Sequence, residues 1–382
     1  MKFLHTGDVH LDSPFAGLDP QTSEMRRSEA RATFSRMMEF ARSENVDMVL
    51  IAGDLFDDRF ITRETVSLLV REFSGLDCPV VIAPGNHDPA SDRSIWNRNI
   101  FPDNVYVFTS PELTYFRFEE PLCDVYGYAF TAKYMTSCPL DGMRPEDSGE
   151  ESGRINLLCA HGDTTSPLSR VCPIPQSVLR AFGPDFAALG HIHNPESANS
   201  AMTVPGGYCG CPEGRDFGEC GVKGAYLVTV EKNGAQAKSD KRFIPFSKRV
   251  YRRVGINVDG AAAQSEAGEA LRRVIESEGW GEETLLRAVF SGSVETSFSM
   301  DISVMKDYAA GLYALEIEDE TSPTWNSDYL EKDKGICGEV YRTLLPGLES
   351  EDRRQRLVAS RALRYALAAL GGNDISSGGP NR

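Results

Sequence analysis

Five short Gly- and Asp-rich segments, each following an apolar run, hold five of the six histidines in this 382-residue chain. They are Gly7-Asp8-Val9-His10, Gly53-Asp54-Leu55-Phe56-Asp57, Gly85-Asn86-His87-Asp88, Ala160-His161-Gly162-Asp163 and Gly190-His191-Ile192-His193. In layered α/β sheets ligands gather beyond the carboxyl ends of the strands, so loops far apart in sequence converge there. Glycine lets the backbone turn sharply off a strand and brings the next side chain into the mouth. Asp8 and His10, like His191 and His193, are two positions apart, which puts both side chains on one face of an extended segment. Alone, a Gly-Asp pair is an ordinary turn and a histidine an ordinary polar residue. Five such segments together constrain the fold.

The runs between them fit an α/β layering. Residues 2–6, 46–52 and 79–83 read as buried strands. The stretch 23–44, with Met25, Phe34, Met37, Met38 and Ala41 at helical spacing, reads as a helix, and 62–75 as another. Strands are predicted at 104–108, 113–118, 124–130, 154–160, 186–189, 201–204 and 224–231, with a helix at 175–182. The polar, acidic stretch 141–153 reads as a surface loop. Residues 1–246 therefore predict a sandwich of two sheets with helices outside. Composition changes after Pro245. A strand at 249–258, a helix at 262–278, a strand at 284–294 and an Arg/Ala/Leu helix at 351–370 predict a second unit over 247–370. The Gly/Ser/Asn-rich tail 371–382 predicts disorder.

An apolar share of 41% and a charged share of 25% suit a soluble globular protein. No apolar run is long enough to span a bilayer, and the first residues lack a signal-peptide pattern, so a cytoplasmic location is expected without membrane association. The nine scattered cysteines predict reduced thiols. Cys209, Cys211 and Cys220 match no zinc-ribbon or finger spacing and read as small thiols in a Gly-rich loop. A net charge of −16 argues against broad, non-specific nucleic-acid binding. Two basic runs remain, Lys241 to Arg253 and Arg353 to Arg364; solvated faces are the ordinary fate of such runs.

Asp8, His10, Asp54, Asn86, His161, His191 and His193 make a carboxylate, imidazole and amide donor set without thiolate. Such a set suits Mn²⁺, Fe or Zn²⁺ in a reactive site. Seven groups suffice for two ions, with Asp54 as the natural bridge. A metal pair about 3.5–4 Å apart suits in-line attack on phosphorus. His87 is left over as a proton donor for the leaving oxygen, with Asp88 expected to orient it. His5, inside the first strand, reads as structural and hydrogen-bonded.

The series G-D-x-H, G-D-x-x-D, G-N-H-D, H-G-D and G-H-I-H resembles that of the calcineurin-like metallophosphoesterases. The opening Leu4-His5-Thr6-Gly7-Asp8-Val9-His10-Leu11-Asp12 looks more narrowly like the SbcD/YhaO branch of DNA repair exonucleases. So does Gly214-Arg215-Asp216-Phe217-Gly218-Glu219, with the following Gly221 to Val228. The match covers residues 1 to about 250; beyond that only the layout is similar. The resemblance implies a four-layer α/β/β/α sandwich with a small α+β C-terminal capping domain. It implies one metal on Asp8, His10, Asp54 and His193, another on Asp54, Asn86, His161 and His191, and His87 at the scissile phosphate. Asp57 and Arg215 become candidate substrate contacts; archaeal and eukaryotic relatives carry histidine where Asp57 stands. Expected cofactors are two divalent ions, Mn²⁺ first. Expected partners are DNA, cleaved from a 3′ end, and an SMC-like ATPase; the 351–370 helix reads equally as a dock for that ATPase or as an ordinary capping helix, and a homodimer also fits the family. Two other functions compete: a phosphoesterase for a small phosphodiester or phosphoprotein, and a non-catalytic scaffold on the same fold, against which the full set of seven donors speaks.

Overall fold

A computed structural model describes residues 1–15, 18–146, 153–295, 298–324 and 326–370. The tail expectation for 371–382, and part of the 141–153 loop, lie outside the described residues. The chain divides into two compact units, Met1–Lys248 and Arg249–Arg382.

The first unit runs β1 (Lys2–Thr6), α1 (Pro20–Ser43), β2 (Met48–Ile51), α2 (Arg63–Ser74), β3 (Val80–Ile82), β4 (Val105–Val107), β5 (Thr114–Phe118) and β6 (Cys123–Gly127). It continues with β7 (Ile155–His161), α3 (Gln176–Phe182), β8 (Phe186–Gly190), α4 (Glu196–Ser200), β9 (Gly206–Tyr208), β10 (Gly224–Asn233) and β11 (Gln236–Pro245). One sheet has the order β11-β10-β1-β2-β3-β4 and the other β5-β6-β7-β8-β9. β1 to β4 are mutually parallel, as are β6 to β9, while β10 runs antiparallel to β1. Their carboxyl ends therefore share an edge within each sheet.

Alternation along β7 and β8 explains the layers. Leu157, Cys159, Phe186 and Ala188 share a core with β1, β2, β3, α1 and α2. Leu158, Ala160, Ala187 and Leu189 instead pack with Leu179 and Phe182 of α3. Since successive side chains in a strand point to opposite faces, the second sheet lies between the first sheet and α3. Phe3 meets Phe186 edge-on across the sheets, with ring centroids 5.4 Å apart. The order is α/β/β/α. The central strands are buried on both faces, which is why they read as continuous apolar runs.

Helix α1 starts where Asp19 accepts hydrogen bonds from Gln21 N and Thr22 N, with Pro20 in the first turn. Its buried stripe is Ala30, Phe34, Met37, Met38 and Ala41, whereas Met25, expected on that stripe, faces solvent. The strand expected at 201–204 lies instead at β9, Gly206–Tyr208. Gly206 has φ +120°, and a Cβ there would sit 2.2 Å from the Ala187 carbonyl oxygen, so only glycine allows this strand to close on β8.

The second unit contains β12 (Val250–Asn257), α5 (Gln264–Glu278), β13 (Thr284–Val294), α6 (Ile302–Tyr308), β14 (Ala314–Pro323), α7 (Ser327–Lys332), α8 (Ile336–Leu348) and α9 (Arg353–Leu370). Its three strands form one parallel sheet in sequence order. Ala267, Leu271 and Ile275 of α5 cover Leu286, Ala288 and Phe290 of β13. Leu330, Tyr341 and Leu363 join α7, α8 and α9 in a smaller cluster. Among the described residues no helix is long and apolar enough to cross a membrane.

Candidate metal centre

The loop after β1 is laced to the loop after β2 by Asp8 N to Gly53 O at 3.0 Å and His10 N to Asp54 O at 2.9 Å. His191, directly after β8, donates its N–H to both carboxylate oxygens of Asp8 at 2.9 Å. His87, after β3, donates its N–H to Asp54 Oδ1 at 2.8 Å. Asp8, His10, Asp54 and His191 all have positive φ. Such strain in non-glycine residues persists only where the surroundings enforce it, and it collects at functional sites. Glycines in these loops allow the close approach: a Cβ on Gly85, just before Asn86, would lie 2.3 Å from Asp54 Oδ1.

The side chains converge. Asp54 Oδ2 lies 3.6 Å from His10 Nε2 and 3.4 Å from His161 Nε2. Asp8 Oδ1 lies 3.7 Å from His193 Nε2, which is 3.4 Å from His10 Nε2. Asn86 Oδ1 is 3.0 Å from His161 Nε2, and the His191 ring meets the His161 ring edge-on at 5.3 Å. Asp8, His10 and His193 form one group of mutually close donor atoms, and Asp8, Asp54 and His161 form another. The seven residues singled out in the sequence thus share one edge of the double sheet.

These residues fit divalent metal. Asp8 and Asp54 are buried, and among the described residues no Lys or Arg pairs with either. Buried carboxylates without a cation are costly, and burial drives the Asp8 carboxyl above its ordinary range. Each of three imidazoles is held by its far nitrogen: His10 Nδ1 at 3.0 Å from Asp57 Oδ1, His193 Nδ1 at 2.6 Å from Glu219 Oε1, and His161 Nδ1 at 3.0 Å from the Ala52 carbonyl. That arrangement turns Nε2 inward as the lone-pair donor, as metal-binding histidines require. Burial holds His10 and His161 below the usual imidazole range, which keeps them neutral.

Three expectations are corrected. Asp88 does not orient His87. It is buried and accepts the backbone N–H groups of Gly85, Asp54 and Leu55 at 2.7, 3.0 and 2.9 Å, pinning two loops together. The carboxylate beside the His87 ring is Asp57, whose Oδ1 lies 2.8 Å from His87 Nδ1 while also holding His10. Asp57 is thus committed to two histidines rather than open to substrate. Arg215 sits behind His193: its guanidinium donates to Glu219 at 2.7 Å and lies 2.9 Å from His193 Nδ1. The hydrogen bond that its ring N–H donates to Asp57 raises the His87 imidazole above its ordinary range.

Sequence reasoning missed Glu219 and Tyr128. The Glu219 signal was present in the Gly214–Glu219 motif. Tyr128 donates its hydroxyl to the His161 carbonyl at 2.9 Å and is buried; nothing near it in sequence marks it. His5 is buried with Nε2 3.2 Å from the Leu189 carbonyl, a structural position. Cys209 and Cys211 are buried, and burial pushes both thiols well above their usual range, so they stay neutral. Cys211 Sγ lies 3.7 Å from Glu219 Oε2.

A double parallel-rich sheet with buried oxygen and nitrogen donors along one edge defines the metallophosphoesterase class. Residues 1–195 match the calcineurin-like phosphoesterase family, and the chain belongs to it. The uncharacterized metallophosphoesterase YhaO of Bacillus subtilis is 31% identical over 242 residues, 60% of this chain and 57% of that protein. The DNA double-strand break repair protein Mre11 of Aeropyrum pernix is 28% identical over 289 residues, 72% of this chain and 68% of that one. The D polypeptide of the Escherichia coli nuclease SbcCD is 25% identical over 299 residues, 65% of this chain and 69% of that one. The chain thus spans little more than half the length of the Bacillus relative.

Proposed function

We propose that the chain is a two-metal phosphodiesterase that cleaves DNA from a 3′ end. The observation that carries the chemistry is His87. Its side chain is 45% exposed, against 1% for His10 and 0% for His161, and it stands at 4.7 Å, ring to ring, from His10. It is therefore the histidine of the cluster that can meet a substrate without leaving the donor set.

Asp8, His10, Asp54 and His193 would hold one cation, and Asp54, Asn86, His161 and His191 the other. Bound there, Mn²⁺ or a similar divalent ion would activate water for attack on phosphorus and offset charge on the phosphoryl oxygens. The chain's own residues do the rest. Asp57 fixes the His87 ring through Nδ1, which leaves Nε2 directed away from Asp57 with a proton for the leaving oxygen. Asp57 and Glu219 orient His10 and His193, and Asp88 keeps the loops bearing Asp54 and His87 in register.

The DNA substrate is supported by the repair protein and nuclease among the relatives. An ATPase partner and a homodimer belong to the same reading. Deletion of residues 350–382 should abolish co-purification with a coiled-coil ATPase if α9 is the docking element. A small phosphodiester is the competing substrate, favoured by the net charge of −16. The Mn²⁺-loaded protein, given 3′-labelled duplex and single-stranded DNA, should shorten the labelled strands. Turnover of a chromogenic diester without DNA cleavage would reject the nuclease and keep the phosphodiesterase.

A further inference from the structure

Two loops beside the candidate centre each present an exposed aromatic ring among exposed cations. One follows Asp57: Phe60, 52% exposed, donates its N–H to the Asp57 carbonyl at 2.8 Å and is flanked in sequence by the exposed Arg59 and Arg63. The other extends from β6. Tyr134 is 53% exposed, with Lys133 Nζ 5.6 Å and Arg170 Cζ 5.8 Å from its ring centroid. Met135 pairs with Val171, and Met135 N donates to the Arg170 carbonyl at 2.9 Å, so Tyr134 and Arg170 share one ledge.

Both loops are anchored in the centre. Asp58 N donates to the His87 carbonyl at 3.0 Å. The Phe130 ring meets the His161 ring at 5.6 Å, and Asp163 N donates to the Cys172 carbonyl at 2.9 Å. Tyr134 is four residues beyond Phe130, a reach of at most about 14 Å of chain. A short oligonucleotide would span that distance.

The cations are also uncommitted. Among the described residues, Arg59, Arg63, Lys133 and Arg170 pair with no carboxylate, in a chain with 56 acidic and 40 basic residues. Unpaired cations interleaved with half-open rings form the surface that single-stranded nucleic acid uses: bases stack on aromatic faces while phosphates meet the charges. Leu168, two residues before Arg170 and 91% exposed, adds apolar surface to the same ledge.

We propose that Tyr134 with Lys133 and Arg170, together with Phe60 and its flanking arginines, forms a landing rim for a single-stranded DNA end. The proposal rests on the reading of the centre as a DNA nuclease. It places sequence-independent strand capture on these loops rather than on the basic runs at Lys241–Arg253 and Arg353–Arg364.

The test is fluorescence anisotropy of a labelled oligothymidine with the full chain in chelator, followed by cleavage of the same strand with Mn²⁺. Y134A should weaken binding about five- to hundredfold, the range for removal of one stacked base, and Y134F should restore it. K133Q combined with R170Q should lower the slope of log affinity against log salt by about 1.4, that is about 0.7 for each phosphate no longer neutralised. Wild-type affinity and slope in these variants, with the parent protein binding and cutting DNA, would overturn the rim and leave the nuclease reading standing. A reduced slope with Y134A unaffected would also overturn it, because an acidic peptide would use the cations without the ring. If the parent protein neither binds nor cuts DNA yet hydrolyses a chromogenic diester, the nuclease reading fails and the rim falls with it.

Discussion

The two halves of the candidate centre are supported differently. His10 and His193 rest on the carboxylates Asp57 and Glu219, whereas His161 rests on the main-chain carbonyl of Ala52 and faces the neutral amide of Asn86. A carboxylate behind an imidazole raises its basicity more than a carbonyl does. The Asp8/His10/His193 half should therefore hold its cation more tightly. The adaptable half is then the one beside Asn86. Asp54, with Oδ2 facing both His10 and His161, is the element common to the two.

The largest effect should follow from removing that common element. Asp54→Ala should lose metal from both halves and reduce diester cleavage to background; elemental analysis of the purified variant is the check. Retention of the full metal complement would break the comparison, because neither half would then depend on Asp54.

His87→Ala should separate chemistry from metal binding. Cleavage should fall about 10²- to 10⁴-fold, the range for a general acid, with metal content equal to that of the parent. Metal loss in this variant would make His87 a ligand. That would leave Asp57 supporting two ligands and the halves still more unequal.

Glu219→Gln addresses one half alone. Loss of a carboxylate behind a metal-binding histidine weakens metal affinity about 10- to 100-fold. Calorimetric titration of the metal-free variant with Mn²⁺ should show the tighter step weakened by that factor and the weaker step in place. Equal movement of both steps would mean that the halves do not differ as their hydrogen bonds suggest.

The inward-facing residues were legible in sequence because each carries its own local signal, a glycine and a polar ligand at a strand end. The pairings that support them were not. Glu219 lies 26 residues from His193, Asp57 lies 47 from His10 and the Ala52 carbonyl belongs to no residue type at all. Only folding brings them together. Asp88 departs from expectation because neighbours in sequence need not be neighbours in space: the turn sends its side chain and that of His87 in different directions. In the fold, buried parallel strands announced themselves as apolar runs. β11 carries no such mark: it is an edge strand whose residues are all at least partly exposed, so no apolar run announces it. β14 was hidden by Glu316, Glu318 and Glu320, of which Glu316 and Glu318 pair with Arg287 across the sheet. α8 was obscured by the internal Pro346.

His5 provides the smallest and most local comparison. Like His161 it is buried and bonded to a main-chain carbonyl, but among the described residues it pairs with no carboxylate. Burial lowers its pKa from 6.5 to about 3, with Lys241 acting in the same direction against the Leu189 hydrogen bond. The folded protein therefore keeps His5 neutral while the unfolded chain takes up a proton below pH 6.5. The stability that His5 contributes is complete above pH 6.5 and is lost as pH falls from 6.5 toward 3. At pH 5 the deficit is 1.5 pH units at about 1.36 kcal/mol each, or about 2 kcal/mol. His5→Gln keeps a donor for the Leu189 carbonyl and removes the titration. In urea unfolding, the parent should lose about 2 kcal/mol more than the variant between pH 7.5 and pH 5. Equal losses would mean that water reaches His5, and that a carbonyl partner alone does not keep a buried imidazole neutral in this fold.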